Sequence, residues 1–143
     1  MSDQHKSMLS QEWLALQSQY EHYEHSSLLI KLVAVIVFAA GLMLTLNLIL
    51  VALFVAVFWL QEGILRTFQA RLGARILQVE TGYRAETEDQ MVCQPFQLHT
   101  EWLRTRPGSI GLVAEYIKNA ARPTVAFPYL ILLLIDLLVY LIW

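Results

Sequence analysis

The chain is short of cysteine and of charge. One cysteine, Cys93, among 143 residues excludes an intrachain disulfide and gives no sign of an oxidising compartment; it reads as a loop residue. Charged residues make up 15% of the chain, where a soluble domain carries about 25%. They are absent between Leu32 and Leu60, and between Pro123 and Trp143 there is only Asp136. That distribution excludes a soluble domain. A formal net charge of -2 gives no basis for nucleic-acid binding. Enzymatic signatures are also missing: no phosphate-cradling Gly-rich loop, no metal-binding His pair flanking a Glu, and no Gly-flanked nucleophile with a partner. Ser109, in Pro107-Gly108-Ser109-Ile110-Gly111, comes nearest and reads as a helix cap. No enzyme and no cofactor is expected. The first 27 residues are polar and lack the apolar core of a secretory signal, so none is expected to be cleaved.

What is present is 57% hydrophobic residues, gathered into blocks of bilayer length. The run from Leu32 to Leu60 is too long for one span: as a single helix it measures about 43 Å against a hydrocarbon core of about 30 Å. Two spans, 27–45 and 47–65, fit better, with Thr45-Leu46-Asn47 as the turn and Asn47 suited to a left-handed backbone. If the turn centres on Leu46, residues at equal depth have numbers summing to about 92, since both helices rise equally per residue. That rule pairs Lys31 with Glu62 and Glu21 with Arg71, opposite charges both times. Unpaired, a lone ammonium just inside an apolar helix must snorkel or belong to an ion site.

The third span closes the sequence over 123–143: Pro123 precedes its apolar run, Pro128 lies in its first turn and Trp143 sits at the far interface. Arg66, Arg71, Arg75, Arg84, Arg104, Arg106, Lys118 and Arg122 all lie between the second and third spans. The positive-inside rule then places the N-terminus and the 66–122 loop in the cytoplasm and the C-terminus outside.

Leu9, Trp13, Leu16, Tyr20 and Tyr23 recur at alternating spacings of four and three, a heptad seam. Leu65, Phe68, Leu72, Ile76 and Val79 form a matching stripe, so the hairpin of residues 1–82 extends into the cytoplasm as a paired-helix stalk. The seam fits equally a partner within the chain or in another copy. Its helices run about 10–45 and 47–82, with Gly82 as a C-cap signal. Residues 83–97 read as an exposed linker. Residues 98–122 read as cytoplasmic and interfacial helices: a short one near 96–105, then one capped by Ser109 whose Ile110, Val113, Ile117 and Ala121 lie on the membrane surface.

Two sets of side chains can carry chemistry. Asp136, past the middle of the third span, reads either as an ion or proton site repeated around an oligomer axis, or as an acid clasping Asn47, Thr45 or a Tyr hydroxyl. His22 and His25, three apart with Glu21 alongside, share a helical face and present a weak metal pair, with only His5 and His99 as further imidazoles.

A Tyr- and Glu-rich helix, then Leu29-Ile30-Lys31 entering a short-turn hairpin, then Phe58-Trp59-Leu60-Gln61-Glu62-Gly63 leaving it into Arg66, Arg71 and Arg75, is similar to small bacterial two-helix membrane modules of the SLATT kind. The resemblance covers about half the chain. It implies a bacterial inner-membrane protein acting as a pore-forming effector of a nucleotide-signalled defence system. Two functions are therefore carried forward: a homo-oligomeric ion pathway or pore, and a non-enzymatic structural or accessory subunit. The expected partners are the lipid bilayer, further copies of the chain, and a protein on the cytoplasmic face.

Overall fold

In the computed structural model the residues described are 3–84, 95–105 and 108–142, and all regular structure among them is helical. The helices are α1 (Asp3–Met43), α2 (Leu48–Arg84), α3 (Leu98–Thr105), α4 (Ser109–Ala120) and α5 (Pro123–Ile142). Three of them, α1, α2 and α5, are long and apolar enough to cross a membrane. At 41 and 37 residues, α1 and α2 reach about 60 and 55 Å, so each overshoots a 30 Å hydrocarbon core by roughly 25 to 30 Å.

The turn between α1 and α2 is tight. Thr45, not Asn47, takes the left-handed conformation, with φ of 52°. Asn47 instead caps α2: its Oδ1 accepts from the Ile49 amide at 2.9 Å, satisfying an orphan donor of the first turn. From this turn the two helices keep one register along their whole length. Gly41 lies against Val51, Lys31 against Glu62, and Trp13 donates to Glu80 at 3.1 Å; these numbers sum to 92 or 93. Gly41 is needed there, because a Cβ would come within 2.7 Å of a Val51 methyl.

The core has two parts. Toward the turn, Ala34 and Phe38 of α1 meet Val51 and Val55 of α2 and Tyr129 and Leu132 of α5. At the other end of the hairpin, Leu9 and Leu16 pack on Leu72, Ile76 and Val79, so the heptad seam closes within one chain. Phe68, expected in that stripe, is 38% exposed, and Gln69 is buried instead. A band of polar residues interrupts the apolar stripe at this point.

Helix α2 continues through Gly82 to Arg84, so Gly82 is an interior residue rather than a cap. Tyr83 and Arg84 therefore belong to the helix, while Glu86, Glu88, Asp89 and Cys93 of the expected linker lie outside the described residues, as does Trp143. Downstream, the Phe96 amide donates to Glu12 Oε2 at 2.7 Å, which ties the start of the α3 segment to α1. Ser109 is the first residue of α4 and not its cap; Gly108 holds that place without a side-chain hydrogen bond. The α4 helix packs beside α2, and α5 returns along the apolar part of the hairpin.

Candidate functional site

Three helices, α1, α2 and α5, converge on Glu62, which is fully buried. Its position on α2 follows from the seam: continuing Tyr20 and Tyr23 by the next step of four brings Ser27 of α1 opposite it. Ser27 donates to Glu62 Oε1 at 2.7 Å, and Lys31 Nζ lies 3.1 Å from the same oxygen. The other oxygen accepts from the Tyr129 hydroxyl of α5 at 2.7 Å. Arg66, one turn along α2, lies 3.7 Å away with its Nε. A buried carboxylate is expensive unless paired and hydrogen-bonded, and here both oxygens are occupied.

The same residues fix the connection between α4 and α5. Lys31 Nζ donates to the Thr124 carbonyl at 3.1 Å, and Trp59 Nε1 donates to the Ala120 carbonyl at 2.9 Å. Trp59 also stacks on Tyr129, with ring centroids 6.3 Å apart. Beside this layer, Gly63 lets α4 approach closely: a Cβ there would sit 2.7 Å from the Ala120 Cβ and 3.0 Å from the Tyr116 carbonyl. That approach brings Asn119 within reach of Thr67, to which it donates at 2.8 Å, while Thr67 donates back to the Gly63 carbonyl.

Comparison with known protein families, with curated proteins and with solved structures gives no match.

The expected Glu21–Arg71 pair does not form. Arg71 is bound to Glu115 of α4 at 2.6 Å, with its guanidinium over the Phe68 and Trp102 rings. Glu21 is exposed and accepts from Gln17 on its own helix. The two residues stand at equal depth, but each is one position off the seam, a rotation of about 100° at 3.6 residues per turn. Equal depth is not equal azimuth. The weak metal pair fares no better: His22 and His25 are exposed, and no group of three or more metal-ligating side chains forms among the described residues.

Asp136 is buried on the stripe of α5 that carries Val125, Ala126, Tyr129 and Leu132. It lies seven residues past Tyr129, about 10 Å further along the helix, at the level of the apolar cluster. Its Oδ1 has no hydrogen-bond partner among the described residues. None of the expected clasps takes that oxygen: Asn47 Oδ1 caps α2, Thr45 donates to the Leu44 carbonyl, and the Tyr129 hydroxyl is on Glu62.

Several residues of this architecture were not evident from the sequence, and three stand out. Ser27 was accessible by extending the heptad one step. Tyr129 was not, because nothing in α5 says which face meets the hairpin. The third is Glu12, which pairs with buried Arg75 at 2.9 Å in the stalk, both side chains at most 6% exposed. Charges next to a seam ordinarily read as solvated flanks, so this pair left no signal.

Proposed function

We propose that the chain is a multi-pass integral membrane protein acting as a non-enzymatic structural or accessory subunit. In this reading α1, α2 and α5 are its spans, the N-terminus and the 66–122 region are cytoplasmic, and the C-terminus is outside. The observation that carries it is the closure of the Glu62 network inside a single chain. A pore built from several copies needs polar side chains turned toward a neighbour, yet Glu62, Tyr129 and Asp136 all face the interior of their own three-helix unit. The outer surface of α5 is instead Phe127, Leu130, Ile131, Leu134, Leu137, Leu138 and Leu141, all exposed and apolar, as a lipid-facing wall requires. The long paired stalk, locked by Glu12 and Arg75, then serves as a rigid arm for a cytoplasmic partner.

Asp136 favours a second reading, the ion pathway that the SLATT-like resemblance implies. An unpartnered buried carboxyl oxygen inside a span is a functional signal in its own right. Native mass spectrometry of the protein in lipid nanodiscs, combined with a proteoliposome flux assay, separates the two. The accessory reading expects a monomer or small assembly without flux. A closed ring that conducts, and loses conduction in Asp136→Asn while keeping its mass, overturns it.

A further inference from the structure

The α4 helix is anchored by one face and bare on the other. Toward α2 it presents Asn119, Ala120 and Glu115, bound to Thr67, Gly63 and Arg71. Away from α2, Ile110, Val113 and Ile117 are 88%, 54% and 59% exposed, one apolar stripe at spacings of three and four. Within five residues of Ile117 stand two exposed cations, Lys118 and Arg122, and the apolar helix α5 begins at Pro123.

We propose that this stripe seats in the margin of an anionic membrane leaflet, with Lys118 and Arg122 against lipid phosphates; the proposal rests on the membrane reading above. Three features select a lipid surface as the occupant. The stripe lies on the helix that leads directly into the apolar α5, with only Ala121 and Arg122 between the end of one helix and the start of the other. Its C-terminal end lies beside Gly63, at the border where the uncharged run of α2 gives way to Glu62 and Arg66, which is the depth of the headgroups in a spanning orientation. Three aliphatic side chains also fall far short of the roughly 20 to 30 residues a side that a stable protein interface uses, whereas an apolar stripe edged by cations is the form of an interfacial helix.

The test uses the full chain with Cys93 replaced by serine and single spin labels at Ile110→Cys, Val113→Cys or Ile117→Cys. It is reconstituted in vesicles of phosphatidylcholine alone or with one quarter phosphatidylglycerol. In the anionic vesicles all three labels should collide more with dissolved oxygen than with a polar nickel complex, most strongly at 117. In the neutral vesicles, or with Lys118→Gln and Arg122→Gln together, that preference should fall at least threefold. Labels as accessible to nickel as one at exposed Thr81→Cys overturn the proposal. So do immobilised labels with dipolar coupling between copies, which report a protein interface, and equal behaviour in both lipids overturns the anionic preference. A label at Leu134→Cys separates the failures: if it too is accessible to nickel, the membrane reading itself is wrong.

Discussion

Two buried carboxyl groups lie on the inner faces of the same helical unit and live under opposite conditions. Glu62 sits where the apolar and polar parts of the hairpin meet and has Ser27, Lys31 and Tyr129 within 3.1 Å. Asp136, about 10 Å further along α5, has one oxygen with no hydrogen-bond partner among the described residues and shares its helix stripe with Leu132 of the apolar cluster. The difference teaches where specificity comes from. In a hydrocarbon setting helices gain little by burying apolar faces against one another, so a satisfied polar cluster is what distinguishes one packing from its neighbours. Glu62 does this for α1, α2 and α5 at once. Asp136 contributes nothing comparable to packing, so its presence asks for a function, whereas Glu62 is explained by structure.

The largest effect is expected from Glu62→Ala, which strands the Tyr129 hydroxyl and the Ser27 hydroxyl and leaves Lys31 with the Thr124 carbonyl alone. Denaturation of the purified protein by graded detergent should show a loss of about 3 to 5 kcal/mol. Glu12→Ala removes the carboxylate partner of buried Arg75 in the stalk and the acceptor of the Phe96 amide. Its cost should be somewhat lower, about 3 kcal/mol, because Gln78 still accepts from Arg75, and hydrogen exchange should quicken in the stalk while the apolar segments stay protected. Asp136→Val, by contrast, should leave the melting temperature unchanged or raise it by the equivalent of about 1 kcal/mol, since an apolar side chain of similar volume replaces a poorly satisfied acid. A clear loss there would show that Asp136 is a clasp after all. Glu21→Gln should shift stability by under about 0.5 kcal/mol, the ordinary range for an exposed residue, and chemical denaturation of wild type and variant side by side checks it.

Much of this arrangement was legible before the fold. Charge-free blocks gave the three apolar helices, and the depth rule from the turn at Leu46 brought Lys31 to Glu62 because a straight antiparallel pair conserves that sum. The same rule failed for Glu21 and Arg71 because it carries depth and no rotation. Where α4 docks was hidden for a different reason. Gly63, Thr67 and Asn119 are individually unremarkable residues whose meaning depends on a contact between helices about 50 residues apart in the chain. Tyr129 was hidden likewise, on a helix whose every face is apolar enough to be buried.

The claim that Glu62 ties α5 to the hairpin is tested most directly by a double-mutant cycle of Glu62→Ala and Tyr129→Phe, read as unfolding free energy in lipid-like micelles. The account predicts that Tyr129→Phe costs about 1 kcal/mol or more in the wild-type background and almost nothing once Glu62 is gone. Costs that simply add, to within about 0.5 kcal/mol, would contradict it and leave α5 held by apolar packing alone.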